Sequence, residues 1–107
     1  QSSMFQPSHD ANSIQGTVIH IDIYGNAITN IEKEYFENVV GARRFEIDMP
    51  RYGETITKIN NRYDDVTPGK MVALFNASGF LEIALNQGDI SLLYGLEYAD
   101  KIRILLQ

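Results

Sequence analysis

Gly16-Thr17-Val18-Ile19-His20-Ile21-Asp22-Ile23-Tyr24-Gly25-Asn26-Ala27-Ile28-Thr29-Asn30-Ile31 is the stretch on which the fold turns. Thr17, Ile19 and Ile21 alternate with Val18, His20 and Asp22, and this period of two in a β-branched run predicts a strand with one polar face. Tyr24-Gly25-Asn26 interrupts the run before extended propensity resumes at Ala27, so a hairpin or bulged corner is expected at Gly25.

Upstream, residues 1–14 mix Ser, Gln, Pro7, His9, Asp10 and Asn12 without an apolar period. That is the composition of a linker, which puts the folded domain at residues 15–107. Downstream, residues 32–40 carry Tyr35, Phe36 and Val39 at helical spacing and stop at Gly41. Phe45, Ile47 and Met49 alternate with Arg44, Glu46 and Asp48, and Ile56 alternates with Thr55 and Thr57. Pro50-Arg51-Tyr52-Gly53 lies between these runs as turn material, which predicts a second hairpin. Residues 61–70 read as a loop. Residues 71–75 and 80–84 are short apolar strands joined by Asn76-Ala77-Ser78-Gly79, residues 89–94 a short helix with Gly95 past its end, and residues 101–106 a last strand. About seven short strands with regular turn signals give an all-β class, a small antiparallel β-barrel or sandwich with one or two short helices.

The 107 residues suffice for one domain, and 44% hydrophobic residues supply its core. The absence of cysteine excludes disulfide scaffolds, zinc–thiolate sites and thiol catalysis. A net charge of −5 argues against a nucleic-acid partner, since phosphate binding relies on clustered Lys and Arg and only Arg43-Arg44 form a basic pair. No membrane span or export signal is expected, because no stretch approaches the roughly 18–20 apolar residues a span needs. The opening Gln1-Ser2-Ser3-Met4 has no initiator methionine, as expected of a piece of a longer chain. His9 and His20 are not at metal-ligand spacing, adjacent acids such as Asp64-Asp65 fall in loop contexts, and no nucleophile motif occurs. Neither a metal nor a catalytic set is expected within these residues.

Asp22 before a tight corner has two readings. It is ordinary turn chemistry, or it joins Tyr24 and Asn26 in a patch that offers a ring to stack, an amide to read base edges and a carboxylate for an ammonium. Asn76-Ala77-Ser78-Gly79-Phe80 and Leu85-Asn86-Gln87-Gly88-Asp89 flank one short strand pair, either as a hairpin turn and a helix cap or as two loops sharing the barrel rim where a ligand approaches the backbone. Tyr63 is an unremarkable loop aromatic or the second wall of a stacking slot.

Taken together, residues 16–31 and Asn76-Ala77-Ser78-Gly79-Phe80-Leu81-Glu82-Ile83-Ala84-Leu85-Asn86-Gln87-Gly88 resemble the C-terminal domain of the S-adenosyl-L-methionine (SAM) hydroxide adenosyltransferases, relatives of fluorinase and chlorinase. Tyr63-Asp64-Asp65-Val66-Thr67-Pro68-Gly69 and Asp100-Lys101-Ile102-Arg103-Ile104 fall in order as well, so the resemblance runs from Gln15 to Leu106. It implies a β-barrel adenosyl-binding domain that follows a larger N-terminal α/β domain, absent here. It also implies a cytoplasmic homotrimer whose ligand lies between the C-terminal domain of one subunit and the N-terminal domain of its neighbour.

Carried over by residue, Asp22 would accept the methionine ammonium and Asn26 would bond the adenine, with Tyr24 and Tyr63 packed on its faces. Backbone groups around Asn86 and Gln87 would read the base edge, and Ala77 and Ser78 would lie near the methionine carboxylate. The implied reaction is hydrolysis of SAM to adenosine and L-methionine, SAM being substrate and no cofactor being used. Ala77, Ser78 and Leu85 stand where the halogenases have serine and two arginines, which favours the water-using branch. The fragment alone is expected to be inactive. The alternatives are a non-catalytic β-barrel that binds a ligand or protein, and a SAM-dependent halogenase domain.

Overall fold

In the computed structural model, which describes residues 6–51 and 53–107, residues 16–31 supply most of two strands, β2 (Ser13–Ile21) and β3 (Ala27–Glu32), joined by a tight turn. The first half of β2 pairs antiparallel with the last strand of the chain, Lys101–Leu106, and the second half pairs with β3. Between Val18↔Thr29 and His20↔Ile28 the register shifts, leaving Ile19 as the extra residue of a bulge. The expected face shared by Val18 and His20 is therefore split: Val18 enters the core while His20 is exposed.

Gly16 lies where β2 passes over β3. A Cβ at this position would stand 2.6 Å from Ile31 Cδ1 and 3.0 Å from Asn30 Oδ1, so only glycine allows the approach in which the Thr17 amide donates to Asn30 Oδ1 at 2.9 Å.

In chain order the remaining elements are β1 (Ser8–His9), α1 (Lys33–Val40), β4 (Phe45–Asp48), β5 (Thr55–Ile56), a 3₁₀ turn (Tyr63–Asp65), β6 (Met71–Phe75), β7 (Phe80–Leu85), α2 (Ile90–Tyr94) and β8 (Lys101–Leu106). The strands run in the order β5-β4-β8-β2-β3-β7-β6, every pair antiparallel. The chain leaving β5 then meets β6, where the Asn60 amide donates to the Ala73 carbonyl at 2.8 Å, so the sheet is a nearly closed barrel. This is the all-β antiparallel class with two short helices that the periodicity predicts.

Strand pairing starts earlier than the sequence predicts. Of the expected tether, residues 1–5 lie outside the described residues, as does Tyr52 of the predicted turn, but Ser8 and His9 pair with Gln15 and Ile14. His9 Nδ1 lies 2.7 Å from the Tyr35 hydroxyl, and the Arg43 guanidinium donates to the Ala11 carbonyl at 2.7 Å. Ser8, His9, Ser13 and Ile14 are thereby part of the sheet, with residues 10–12 as the turn between them.

The barrel interior collects Ile14, Val18, Ile31, Ile47, Leu81, Ile83, Ile102 and Ile104, each fully buried. Alternate residues of β4, β7 and β8 supply it, as a period of two requires. Helix α1 closes one side, with Phe36 packed edge-on against Phe45 and Phe75 at 5.2 and 5.5 Å. The outer face of β6 and β7 is covered too: Val72, Leu74, Glu82 and Ala84 are buried although they alternate with core residues. Asn86, itself buried, ties down the covering segment by donating from Nδ2 to the Val66 carbonyl at 2.7 Å.

Candidate functional site

The turn between β2 and β3 is organised by Asp22. Its Oδ1 accepts the amides of Tyr24 and Asn26, each at 2.9 Å, and Oδ2 accepts Asn26 Nδ2 at 3.2 Å. A carboxylate only accepts, so the Asn26 amide must present its NH₂ to Asp22 and turn its oxygen away. Gly25, at φ +83°, lets the chain reverse. The result is an exposed Tyr24 ring beside a buried Asn26.

Register brings a second segment to this turn. Pairing of Ala27 with Ile83 in the β3–β7 ladder places the C-terminal end of β7 next to residues 22–26. Gln87 follows at φ +57°, and Asp89 caps α2 by accepting the Leu92 amide at 2.8 Å. The Ser91 amide donates to the Gly25 carbonyl at 3.0 Å, joining the two segments directly.

The third segment is the 3₁₀ turn. Asp65 Oδ2 accepts the amides of Asn61 and Arg62, both at 3.0 Å, which shapes the turn that presents Tyr63. The Arg62 guanidinium beside Asp64, at 2.9 Å, holds the Asp64 carboxyl below the usual carboxylate range. The Tyr63 hydroxyl donates to Glu82 Oε2. Burial first, then the hydrogen bond to Glu82 and the negative charges of Glu82 and Asp22, push the Tyr63 phenol well above its ordinary 10.0. Tyr63 therefore remains a neutral donor across the physiological range.

These segments enclose an open cleft of about 460 Å³ lined by Asp22, Tyr24, Asn26, Tyr63, Leu85, Gln87 and Gly88. Five residues that the sequence nominates thus share one wall-to-wall space. Asn86 stands at the edge of this group. It lines an adjoining hollow of about 450 Å³ on another side of Tyr63, with Asn61, Arg62, Asp64 and Leu74. Its backbone is already engaged, the amide donating to the Lys70 carbonyl at 3.0 Å and the carbonyl accepting from Gly69 at 2.8 Å.

Ala77 and Ser78 are not brought to the cleft. They form the β6–β7 turn, at the opposite end of β7, and the following Gly79 carbonyl accepts the amide of Lys33. About 20 Å of strand separates them from Gln87. The expectation that both flanking loops share a rim is corrected here, because a loop before a strand and a loop after it must lie at opposite ends. Glu82, buried on β7 and bonded to Tyr63, escapes sequence reasoning because residues 80–84 read only as a short apolar strand, while Leu85 and Gly88 of the following loop join the lining. Among the described residues, no three His, Asp or Glu side chains gather at metal-holding distance, and no helix is long and apolar enough to cross a membrane.

Fold and cleft together define a small antiparallel β-barrel domain with an aromatic-walled, acid-bearing cleft at one rim. The chain matches the model of the SAM hydroxide adenosyltransferase C-terminal domain over residues 16–103, and it belongs to that family. It is 31% identical over 96 residues to (R)-S-adenosyl-L-methionine hydrolase of Methanocaldococcus jannaschii, a match covering 82% of this chain and 34% of that protein. Its structure is similar to the crystal structure of an uncharacterized conserved protein from Thermotoga maritima, with a TM-score of 0.78 and 26% identity, covering 92% of this chain and 38% of the other. A conserved hypothetical protein from Thermus thermophilus superposes with a TM-score of 0.61 at 27% identity, over 87% of this chain and 34% of the other. The chain thus spans about a third of the length of these relatives.

Proposed function

We propose that the cleft between residues 22–26, Tyr63 and residues 85–88 binds the adenosyl part of SAM, and that the whole protein carrying this domain hydrolyses SAM to adenosine and L-methionine. The observation that carries this is the convergence of Asp22, Tyr24, Asn26, Tyr63 and Gln87, from three separate segments, on a single cleft.

The chemistry asks for position above all. Water or hydroxide attacks the ribose 5′ carbon, that carbon's bond to sulfur breaks, and methionine leaves as a neutral thioether. Fixing the 5′ carbon in line with the nucleophile supplies up to about 7–11 kcal/mol of the barrier reduction. Stacking of the base on an aromatic wall contributes about 1–3 kcal/mol. Tyr24 and Tyr63 furnish that wall, Asn26 turns its amide oxygen towards a donor on the base, and Asp22 supplies the negative charge that suits a sulfonium or ammonium.

Leu85 lines the cleft as an apolar group where the halogenases have an arginine, in keeping with the water-using branch. Ile23, Leu92 and Leu93 stand exposed on the turn and on α2, beside the cleft, and suit coverage by the N-terminal domain of a neighbouring subunit in a cytoplasmic homotrimer. Nucleophile selection and proton transfer fall to that domain.

The test is adenosine titration of this chain by calorimetry, together with SAM turnover by the intact protein. Adenosine binding that Asn26→Ala weakens, and adenosine plus methionine as products of the intact protein only, are expected. Turnover by the isolated chain, or halogenated nucleoside as the product, would overturn the assignment.

A further inference from the structure

Glu82 is a buried acid whose presence folding alone does not explain. It is 3% exposed on the covered face of β7, opposite Ile28 of β3 and Leu74 of β6. Among the described residues no lysine or arginine forms a salt bridge with it, and its hydrogen-bond donor is the Tyr63 hydroxyl. Burying a carboxylate against apolar neighbours with one neutral donor costs stability, and an aliphatic side chain of similar volume would serve the fold better.

The ring that Glu82 holds is otherwise poorly confined. Tyr63 is 42% exposed and lines both the 460 Å³ cleft and the adjoining 450 Å³ hollow, so open space lies to more than one side of it. A ring placed between two hollows swings unless its far end is pinned. The hydroxyl is that far end.

We propose that Glu82 is a positioning residue for the cleft: its buried carboxylate pins the Tyr63 hydroxyl and so sets the ring as a fixed wall against which the adenine packs. This rests on the adenosyl assignment made above. The elevated phenol pKa fits it, since burial and the facing carboxylates of Glu82 and Asp22 keep the proton on Tyr63 and available to Glu82.

The experiment uses the intact protein with adenosine as the probe, together with ¹³Cζ-tyrosine NMR in the absence of ligand. Glu82→Leu and Tyr63→Phe should each weaken adenosine binding by about tenfold, and the double variant should lose no more than either single one, as expected when two residues act as a unit. Glu82→Gln, which keeps an acceptor of the same shape, should stay within about threefold of the unaltered protein. Losses that multiply in the double variant would overturn the proposal. So would a Glu82→Leu protein that melts earlier but binds adenosine normally, because that pattern belongs to a merely structural residue. If Glu82→Leu does not fold, unchanged adenosine binding by Tyr63→Phe overturns the proposal as well. An unaltered protein that fails to bind adenosine sinks the adenosyl assignment instead. The ligand-free Tyr63 resonance then still decides the pin: a change with Glu82→Leu larger than that with Glu82→Gln supports it, and a change no larger with Glu82→Leu refutes it.

Discussion

The Asp89 carboxylate occupies the space that a side chain on Gly25 would need: a Cβ at position 25 would lie 1.9 Å from Asp89 Oδ1. The same contact brings the helix-capping acid of α2 onto the turn that carries Tyr24 and Asn26, so two walls of the cleft are locked together through a missing side chain.

Gly25→Ala should therefore be costly. Alanine meets both the Asp89 carboxylate and a φ of +83°, and the combined strain is on the order of 2 kcal/mol or more. For a domain of this size, each kcal/mol lowers Tm by about 4–8 °C. Urea unfolding measures it, and a loss below about 0.5 kcal/mol would show that the two segments separate easily.

Asn26→Ala removes the amide that Asp22 Oδ2 accepts and the oxygen turned away from Asp22. In the intact protein it should weaken SAM and adenosine binding by about 1–3 kcal/mol, the cost of orphaning a buried polar partner. Steady-state kinetics would read this as a raised KM. Unchanged KM and kcat would remove Asn26 from the site.

Ser78→Ala should leave adenosine affinity within about twofold, because Ser78 lies at the end of β7 remote from Gln87. Calorimetry on this chain checks it. A tenfold loss would mean that the far turn reaches the nucleoside after all.

Acid stability should depend on Arg51 and Asp100, whose side chains meet at 2.7 Å. Burial opposes the Asp100 charge, but the Arg51 hydrogen bond, the Glu97 amide and the Arg51 charge outweigh it and hold the carboxyl below its ordinary 3.8. As pH falls, the unfolded chain takes up this proton before the folded one does. The contribution is thus complete above the unfolded value and is lost as pH drops through the folded one. Arg51→Ala should lower Tm at pH 7, and the difference should narrow as pH falls through the lowered Asp100 value. A difference independent of pH would assign the effect to the uncharged contacts of Arg51, such as its bond to the Gly95 carbonyl.

Much of the barrel is legible because a strand announces itself locally. Ile102 and Ile104 alternate with Lys101 and Arg103, and the last strand occupies the residues this period marks. Gly41 and Gly95 end the two helices where expected. β1 leaves no such trace: Ser8 and His9 pair through backbone groups that every residue carries, and neither side chain signals it.

The amino-acid order by itself determined the strand pattern, the turns and the residue types proposed to grip a nucleoside, since each depends on neighbours a few positions apart. Only the tertiary structure decided which of those residues meet. The register of β3 on β7 brings Gln87 to Asn26 and carries Ser78 away, and the segment folded over β7 buries Glu82 beneath Tyr63. Both are long-range pairings, fixed by how the sheet closes on itself, and no local period encodes them.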